Sequence, residues 1–356
     1  MRAFLLAAGR GIRFRPVTER IPKPLFPYLN VPLARAHLAR LRRFGIGEAA
    51  VNLHHLGEKI EQHLINRASE LPKLRFFPEP EILGTAGALR NAADFLSEGD
   101  FLVVNSDAAI EPDYGALVLR HRTSGRPATL LVVENREPDR YTPLQSEGDR
   151  ITGFGGESGG TLAQSQSGGT LAQSQSGGTL AQSQSGGTLS PTPLLYTGVS
   201  VLSPRVLPRI PAGETSLVQD LWDPLLRDGE EIGWMRHDGP FADLGRPSDF
   251  LRASLEALER GGPFPEGAGS FDGESRTLVA RPAPGFDVSG SVLGDALIGK
   301  LARVSASVVW QGVSIGAGAR LDHCLVAGGE VRAGESFRDK LLWAAPGEPA
   351  VAYPLT

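Results

Sequence analysis

The sequence predicts an α/β fold with an open, mostly parallel sheet, followed by a short C-terminal left-handed parallel β-helix. Over roughly the first 260 residues, short apolar runs alternate with segments of helical periodicity. This alternation is typical of a parallel sheet with helices on both faces. Beyond residue 274, aliphatic residues recur about every five or six positions, which is the spacing expected of a parallel β-helix.

Composition places the chain among globular proteins. Its 356 residues, 41% hydrophobic and 21% charged, are enough for two domains. The net charge of −4 gives no support for nucleic-acid binding, and no apolar run is long enough to span a bilayer. The N-terminus shows no signal segment, and the single cysteine, Cys324, excludes an internal disulfide. We therefore expect a cytoplasmic protein without nucleic-acid or membrane partners.

Each element follows from local periodicity and from Gly or Pro at its ends. The predicted helices are 33–44, 57–68, 89–96 and 250–260, with another beginning at Ser216 behind a serine cap. The predicted strands are 4–8, 49–53, 74–77, 100–107, 128–134, 150–154 and 194–202. The last of the predicted helices closes the first domain.

The first strand ends in a glycine turn with positive charge nearby. Gly9 and Gly11 allow a tight turn in which backbone N–H groups face an anion. Arg13 follows, and Lys23 lies between two prolines, which predict extended backbone and a fixed direction for its ammonium. A Gly-x-Gly turn alone is as often an ordinary strand-to-helix connection. Together, the turn, the arginine and the rigidly held lysine suit a triphosphate.

Two further stretches carry candidate site residues. In residues 79–89, the glycines would let backbone approach a flat ligand, although a plain helix-start turn is the alternative. In residues 100–107, an apolar strand ends at Asp107, at the sheet edge where α/β proteins bind ligands. A carboxylate there can hold Mg²⁺ against phosphate oxygens, although many such aspartates are only caps.

Several of these segments together resemble the sugar-1-phosphate nucleotidyltransferases, the NDP-sugar pyrophosphorylases that include mannose-1-phosphate guanylyltransferases. The family signature is similar to LAAGRGIRFRP at 6–16 and PKPL at 22–25. Ile12 stands where the family usually has Thr, and Ser106 stands where it usually has Gly. The segment GPFADLGRPSDF at 239–250 resembles the family's Trp-x-Asp-Ile-Gly-Thr-Pro. The resemblance implies a Rossmann-like catalytic domain of the nucleotide-diphospho-sugar transferase type.

The resemblance also implies roles for particular residues. Nucleotide binding is expected of Leu6, Ala7, Ala8, Gly9, Gly11, Glu79, Gly84 and Thr85. Catalytic roles are expected of Arg13 and Lys23, sugar-phosphate binding of Asn105 and Gly198, and Mg²⁺ binding of Asp107 and Asp243. In the implied reaction, a sugar 1-phosphate attacks the α-phosphorus of an NTP in line, giving an NDP-sugar and pyrophosphate. Glu79 is expected to read the base, with Glu81 as the competing candidate.

A low-complexity insertion interrupts the first domain at 158–193. The nonapeptide SGGTLAQSQ occurs three times from Ser158, followed by a diverged copy. Its polar composition predicts a flexible surface loop, with a small β-solenoid as the alternative. Many relatives carry a Glu-Lys-Pro here whose lysine meets the sugar phosphate, but this chain has no lysine from Phe154 to Pro193.

The domain boundaries follow from these observations. We expect a catalytic domain at 1–260, a Pro/Gly-rich linker at 261–274, a left-handed β-helix at 275–346 and a tail at 347–356. The recurring aliphatic residues of the β-helix are Ile298, Val304, Val309, Ile315, Leu321, Val326 and Val331. Its expected role is packing and homo-oligomerisation.

Other functions stay open at this stage. The product is expected to resemble GDP-mannose, with uridylyl or thymidylyl transfer to another sugar 1-phosphate, of glucose or N-acetylmuramic acid type, as the alternative. An acyltransferase acting through the β-helix is a different class, against which stands its short length and single histidine, His323. A non-catalytic regulatory paralogue is the third possibility, which Arg13, Lys23, Asp107 and Asp243 disfavour.

Overall fold

The computed structural model describes residues 1–155, 193–280 and 287–356. In the first of two regions, the strands are β1 (Arg2–Leu6), β2 (Pro27–Tyr28), β3 (Val31–Pro32), β4 (Glu48–Leu53), β5 (Lys73–Pro78), β6 (Phe101–Asn105), β7 (Ala108–Ile110), β8 (Ala128–Glu134), β9 (Leu144–Glu147), β10 (Arg150–Phe154), β11 (Leu194–Leu202), β12 (Ile232–Arg236) and β13 (Phe241–Asp243). The α-helices are α1 (Leu33–Arg43), α2 (Gly57–Ile65), α3 (Gly84–Asn91), α4 (Ala93–Leu96), α5 (Tyr114–Ser124), α6 (Asp223–Arg227) and α7 (Pro247–Arg260). Short 3-10 helices occupy Ile12–Phe14, Val17–Glu19, Lys23–Leu25, Ala68–Glu70 and Pro204–Arg209, and a π-helix occupies Val218–Trp222.

The main sheet has the strand order β5-β4-β1-β6-β11-β8-β12-β10-β9. Its first four strands are parallel neighbours, and β12 is parallel to β8. In contrast, β11 runs antiparallel to β6 and β8, and β10 runs antiparallel to β12 and β9. The sheet is therefore mixed, and the prediction of a mostly parallel sheet is met only on the β5–β6 side. An apolar run such as 194–202 predicts a buried strand but not its direction.

Helices cover both faces of this sheet, as predicted. Successive side chains of a strand point to opposite faces. Phe4 accordingly packs in a core that includes residues of α3, α4 and α6, whereas Ala3 and Leu5 pack in a second core with α1, α2 and α5. The architecture is thus a three-layer α/β sandwich with one core on each side of the sheet.

The predicted helices and strands largely match the observed ones. Strands β8, β10 and β11 have the predicted bounds, and Gly45, with φ of 101°, follows the end of α1. The prediction for 89–96 is wrong in its start, because α3 already begins at Gly84 and ends before Ala92. The prediction of a helix capped by Ser216 is wrong, because a π-helix begins at Val218 with Leu217 as its N-cap and without a side-chain cap. The Ser216 Oγ accepts only a local hydrogen bond of 3.2 Å from the N–H of Val218.

The second region consists of short strands. They are β14 (Ser270–Asp272), β15 (Thr277–Val279), β16 (Asp287–Ser289), β17 (Val292–Leu293), β18 (Leu297–Ile298), β19 (Arg303–Ser305), β20 (Val308–Val309), β21 (Ser314–Ile315), β22 (Arg320–Asp322), β23 (Leu325–Val326), β24 (Glu330–Val331), β25 (Ser336–Arg338), β26 (Lys340–Trp343) and β27 (Val351–Pro354). Apart from the antiparallel edge strands β14 and β27, the described strands form three parallel sheets, β15-β17-β20-β23-β26, β16-β19-β22-β25 and β18-β21-β24.

The chain visits these three sheets in turn. From β16 to β26, each strand pairs with the strand third after it, so the same side of every coil stacks on the next. Six of the seven recurring aliphatic residues are buried in one core, and the seventh, Ile298, packs against it. The predicted inward aliphatic repeat is therefore confirmed at the level of packing.

Aromatic residues join the two regions. Phe26 lies between β1 and α1 in the chain, and its ring centroid is 4.8 Å from those of both Phe14 and Trp310. Phe250 of α7 lies 5.8 Å from the Trp310 ring. The side-chain amide of Asn30 adds hydrogen bonds, both of 3.0 Å, to the carbonyls of Ala268 and Leu293. The segment after β1 is thus packed directly on the C-terminal strands.

One sequence prediction concerns residues that the structure does not describe. The predicted insertion at 158–193 lies, apart from Pro193, outside the described residues. None of the helices in the described part of the chain has the length and apolar character that a bilayer crossing needs.

Candidate active site

The turn after β1 requires glycine for a local reason. Gly11 has φ of +59° and precedes the 3-10 helix Ile12–Phe14. A Cβ at this position would lie 2.8 Å from Cγ2 of Thr18, whose hydroxyl donates to the Gly11 carbonyl at 3.0 Å. The left-handed conformation and the close contact with Thr18 together favour glycine.

Backbone donors are open along this turn. In the described residues, the backbone N–H groups of residues 8–12 have no hydrogen-bond acceptor. The Ala7 N–H, in contrast, donates to Asn52 Oδ1 at 2.7 Å, and the Leu6 carbonyl accepts from Ser106 at 3.1 Å. Consecutive free N–H groups behind a strand form a concave anion site. The structure thus leaves the expected donors of Ala8, Gly9 and Gly11 open, whereas the Ala7 N–H and the Leu6 carbonyl are used within the protein.

Arg13 reaches the same site across a glycine. Its guanidinium lies against Gly245, where a Cβ would be 3.0 Å from Cζ of Arg13. Arg13 and Gly245 line one cavity together with Gly9, Gly11 and other residues of the site. Among the described residues no carboxylate pairs with Arg13. Its charge is therefore available to an anionic ligand, and Gly245 makes room for it.

Lys23 lies in the same cavity and pairs with Asp107. Lys23 Nζ is 2.9 Å from Asp107 Oδ2, and the two side chains are only 8% and 14% exposed. The expectation of extended backbone holds for Pro22, at φ −68° and ψ 141°, but is wrong for Lys23, which begins a 3-10 helix. The ammonium still has a fixed direction, because the buried ion pair holds it toward Asp107.

The two acids expected to act together are brought side by side by a strand pair. Strand β7 follows Asp107 directly, and β13 ends at Asp243, which is opposite Ala108 in the β7–β13 ladder. The N–H of Leu244 donates to the Asp107 carbonyl at 3.2 Å. Carboxylates distant in sequence thus meet at the edge of the sheet.

Asp243 is in an unusual environment. It is 6% exposed and accepts a hydrogen bond of 3.3 Å from the Tyr141 hydroxyl. Burial raises the pKa of the Asp243 carboxyl, and the negative charge of Asp107 raises it further, while Lys23 and Arg13 lower it. An additional cation beside the two carboxylates would relieve this repulsion.

The residues present fit a divalent ion that takes some of its ligands from the protein and the others from a bound substrate. In the described residues, no group of three or more His, Cys, Asp or Glu side chains is close enough to bind a metal. Two carboxylates alone are nonetheless a usual protein contribution to Mg²⁺, which takes its other ligands from water and phosphate oxygens. The chemistry of Asp107 and Asp243 therefore matches a metal–phosphate site.

A second set of contacts supports Tyr141. Arg140 donates to both oxygens of Asp249 on α7, one of them at 2.9 Å, and its guanidinium lies 4.8 Å from the Tyr141 ring centroid. These contacts hold the ring whose hydroxyl reaches Asp243. Sequence reasoning missed Arg140 and Tyr141. Of these three residues, only Asp249 lies within a motif that the sequence indicated, the segment 239–250.

The second glycine turn is covered by the protein's own chain. Gly84 has φ of +71°, and a Cβ there would lie 2.3 Å from the Thr215 carbonyl oxygen. That oxygen accepts from Ala86 at 2.9 Å, and the Leu217 N–H donates to Thr85 Oγ1 at 2.9 Å. The close backbone approach predicted here is thus made by segment 213–217. Gly84 and Thr85 are fixed by this segment, with part of Thr85 exposed to a cavity described below.

Glu79 links the two glycine turns. Its Oε1 accepts from Asn52 at 2.8 Å, and its Oε2 accepts from the Leu83 N–H at 3.0 Å. Burial raises the pKa of Glu79, which is 3% exposed, and these hydrogen bonds lower it in part. Because Asn52 also accepts from Ala7, a continuous chain of hydrogen bonds joins β1 to the start of α3. The competing candidate, Glu81, is exposed.

Asn105 and Gly198 are in contact, as their shared predicted role requires. Gly198 has φ of +84° at an irregularity in the β11–β8 ladder, and a Cβ there would lie 2.7 Å from Asn105 Nδ2. The Oδ1 of Asn105 is buried and has no partner. Asn105 also lines a second cavity, whose lining includes Thr85, Thr142, Phe154 and Trp222. The next two residues, Ser106 and Asp107, line the first cavity, so the two cavities are neighbours.

Comparison with known proteins shows what the chain is similar to. The family model described as Nucleotidyl transferase matches residues 2–155. "Probable mannose-1-phosphate guanylyltransferase 1" of Oryza sativa subsp. japonica is 28% identical over 341 residues, which cover 92% of this chain and 82% of the rice protein. "Mannose-1-phosphate guanylyltransferase" of Mycobacterium tuberculosis is 26% identical over 327 residues, covering 90% of this chain and 83% of that protein. The chain thus contains a region that matches the Nucleotidyl transferase family, and its similarity to mannose-1-phosphate guanylyltransferases extends over about nine tenths of its length. These similarities support transfer of a nucleotidyl group to a sugar 1-phosphate.

Solved structures agree on the fold of this chain. The crystal structure of HddC from Yersinia pseudotuberculosis has a TM-score of 0.55 at 21% identity and covers 72% of this chain and 98% of that chain. At this identity the likeness concerns the fold alone. The α/β part of the prediction is thereby confirmed.

Proposed function

We propose that this nucleotidyltransferase transfers guanylate from GTP to mannose 1-phosphate, giving GDP-mannose and pyrophosphate. The observation that supports nucleotidyl transfer at this site is the meeting of Lys23, Asp107 and Asp243 beside an arginine without an ion-pair partner and a turn with open N–H groups. The names of the rice and mycobacterial relatives support guanine and mannose.

The residues of the first cavity divide the work by charge. The open N–H groups of residues 8–12 and the Arg13 guanidinium hold the β- and γ-phosphates, where charge builds up as pyrophosphate leaves. Lys23 holds the α-phosphate or the incoming sugar phosphate. An oxygen of the sugar phosphate forms a bond to the α-phosphorus of GTP. At the same time the bond between the α-phosphorus and the oxygen that bridges it to the β-phosphate breaks, and pyrophosphate leaves. Positioning and charge stabilisation supply the catalysis.

Asp107 and Asp243 would hold Mg²⁺ in this assignment. When bound, the ion neutralises phosphate charge and polarises the reacting phosphoryl group. Tyr141 orients Asp243 through its hydrogen bond, and Arg140 and Asp249 hold Tyr141. Lys23 keeps Asp107 directed into the cavity.

Guanine is the proposed base because its N1–H and 2-amino group are adjacent donors that one carboxylate accepts together. Glu79 and Glu81 are the two candidates for that carboxylate. Both oxygens of Glu79 already accept hydrogen bonds, whereas Glu81 is exposed. Glu79→Gln and Glu81→Gln separate them, since only the residue that reads the base should narrow the preference for GTP over UTP.

For the second region we propose a left-handed parallel β-helix at 275–346 that promotes homo-oligomerisation, after a catalytic domain at 1–260, a linker at 261–274 and with a tail at 347–356. Parallel strands that visit three sheets in turn support the β-helix. We also propose a cytoplasmic location, on the sequence features described above.

A panel of NTPs and sugar 1-phosphates, with pyrophosphate release measured, tests the proposed substrates. GTP with mannose 1-phosphate should give a kcat/KM at least about tenfold above that of UTP or dTTP, since two lost hydrogen bonds cost a few kcal/mol. If UTP or dTTP is the better substrate, the guanine assignment is wrong. If no pair releases pyrophosphate, the regulatory paralogue is the better description.

A further inference from the structure

The hydroxyl of Ser106 is unpaired at the wall of the first cavity. Ser106 directly follows β6, is 4% exposed, and lines the cavity together with Lys23 and Asp107. Its backbone N–H donates to the Leu6 carbonyl at 3.1 Å, which fixes the residue beside β1. Its hydroxyl has no hydrogen-bond partner among the described residues, and the hydroxyl oxygen is not fully buried. A ligand in the cavity can therefore reach it.

The other buried serines in the described part of the chain use their hydroxyls within the fold. The Ser254 hydroxyl donates to a carbonyl one turn earlier in α7 at 2.8 Å, and the Ser200 hydroxyl accepts from a tyrosine at 3.1 Å. In the C-terminal region, the hydroxyls of Ser291 and Ser307 donate to carbonyls at 2.8 and 2.7 Å. Buried polar groups are nearly always hydrogen-bonded in native proteins. A partner from outside the protein is therefore expected at Ser106.

The groups around this hydroxyl favour a phosphate as that partner. Arg13 makes no ion pair among the described residues, and the N–H groups of residues 8–12 have no acceptor there. Lys23 adds a second positive charge to the same cavity. A serine hydroxyl can donate to an anionic oxygen, and such charge-assisted hydrogen bonds are about twice as strong as neutral ones. The Ser106 hydroxyl thus adds an uncharged donor to a cavity whose other donors suit an anion.

The order of the strands places Ser106 between two parts of the site. Strands β1, β6 and β11 are adjacent in the main sheet. The turn at 8–12 follows β1, Ser106 follows β6, and Gly198 lies within β11. Asn105, which precedes Ser106, contacts Gly198 and lines the second cavity. A phosphate beside Ser106 therefore lies between the turn proposed for the triphosphate and the two residues expected to bind the sugar phosphate.

We propose that Ser106 is a further catalytic residue, whose hydroxyl donates a hydrogen bond to a non-bridging phosphate oxygen of the sugar 1-phosphate. The hydroxyl keeps its proton and forms no covalent bond. The hydrogen bond orients the phosphate so that another of its oxygens faces the α-phosphorus of the NTP. This role rests on the proposed function, because it concerns the acceptor of that reaction. Sequence analysis indicated Ser106 only as the residue that replaces the family's usual glycine.

The first test removes the hydroxyl alone. Ser106→Ala keeps the Cβ, and kcat/KM for mannose 1-phosphate should fall about 10- to 100-fold, as expected for the loss of one hydrogen bond to a charged group, while the KM for GTP changes less than about twofold. Thermal unfolding should show no loss of stability, because the hydroxyl has no partner in the described fold. The control is Ser254→Ala, a buried serine whose hydroxyl is paired within α7, which should change neither kinetic constant. An unchanged kcat/KM in Ser106→Ala, an equal rise in the KM for GTP, or a loss of stability overturns the role of Ser106.

The second test separates a contact to the phosphate from a contact to the sugar ring or to a metal ion. A hydrogen bond to the phosphate does not depend on the ring, so Ser106→Ala should weaken the binding of mannose 1-phosphate and glucose 1-phosphate by the same factor. Isothermal titration calorimetry measures both. The Mg²⁺ concentration that gives half the maximal rate should be the same in Ser106→Ala and wild type. Unequal factors for the two sugars, or a clear rise in the required Mg²⁺ concentration, overturn the contact to the phosphate.

The same titrations separate this inference from the proposed function, because binding does not depend on turnover. Weaker binding of mannose 1-phosphate to Ser106→Ala than to wild type supports the contact even if no guanylyl transfer occurs, in which case the proposed function alone fails. Equal binding to the two proteins, with normal transfer by both, overturns the inference and leaves the proposed function intact. No binding to wild type, with or without GTP, also overturns the inference.

Discussion

The two turns after β1 and β5 both contain two glycines but have opposite surroundings. In the first, residues 8–12 leave their N–H groups without acceptors, and Arg13 is without an ion-pair partner among the described residues. In the second, Gly84 and Ala86 are packed against Thr215, and Thr85 is hydrogen-bonded to Leu217. One turn is open to a ligand, and the other is filled by the protein.

The difference shows that a glycine at a strand end is ambiguous. A missing Cβ permits close approach of whatever lies there, either a phosphate or another backbone segment. The first turn should therefore lose activity when it is altered, whereas the second should lose stability. The following substitutions test that division, from the largest expected effect to the smallest.

Arg13→Met should have the largest effect. It removes a charge that makes no ion pair among the described residues, so kcat/KM should fall about 100- to 1,000-fold, as for other lost transition-state donors. The free energy of unfolding should change little, because no ion pair is broken. Steady-state kinetics and urea unfolding measure the two quantities, with Arg332→Met, an exposed arginine of the C-terminal region, as the control. A large loss of stability without a loss of kcat/KM would show that the first turn serves stability and not activity.

Gly84→Ala should mainly destabilise the protein. The new Cβ would meet the Thr215 carbonyl at 2.3 Å from a left-handed backbone, so the free energy of unfolding should fall by about 2–4 kcal/mol. Gly99→Ala is the matched control, since a Cβ at Gly99 meets nothing within 4 Å. If thermal unfolding shows the two variants to be equally stable, segment 213–217 does not hold the second turn.

Asp243→Asn should stabilise the protein at neutral pH while abolishing most activity. Because burial and Asp107 raise the pKa of Asp243, its ionised form is disfavoured in the folded state. That cost is present at pH values above the raised pKa and disappears as the pH falls below the unfolded-state value. The excess stability of Asp243→Asn should therefore be largest at neutral and alkaline pH and vanish in acid. Denaturant unfolding from about pH 3 to about pH 8 measures it, and a variant that is less stable at neutral and alkaline pH contradicts the sign.

Ile12→Thr should have the smallest effect. Ile12 is 39% exposed, and its N–H, like those before it, is open in the described structure. If the backbone binds the phosphates, restoring the hydroxyl typical of the family should change the KM for the NTP by less than about threefold. A larger gain would mean that the side chain at this position, and not only the backbone, contacts the nucleotide.

The sequence was sufficient where a single segment carries its own signal. The Gly9–Gly11 turn, Lys23 and Asp107 line one cavity, and each could be picked out from its own short segment. The aliphatic repeat of 298–331 could be recognised from its spacing alone. The meeting of Asp107 and Asp243 was predicted through the resemblance. What could not be predicted depends on tertiary pairing: the antiparallel direction of β11, the covering of Gly84 by Thr215, and the hydrogen bond from Tyr141 to Asp243. No local pattern encodes which distant backbone approaches a turn.

Because Phe26 contacts Trp310, melting of the C-terminal strands should contribute to the loss of activity on heating. Phe14 follows Arg13 in the chain, and Phe26 lies three positions after Lys23. Both rings belong to the same core as Trp310 and Phe250. These strands therefore act as a brace under the loop that is proposed to hold the nucleotide. When they melt, the loop loses the surface on which it rests, even if the main sheet is still intact. Turnover should accordingly disappear at the temperature at which the brace unfolds, although none of the proposed catalytic residues lies within it.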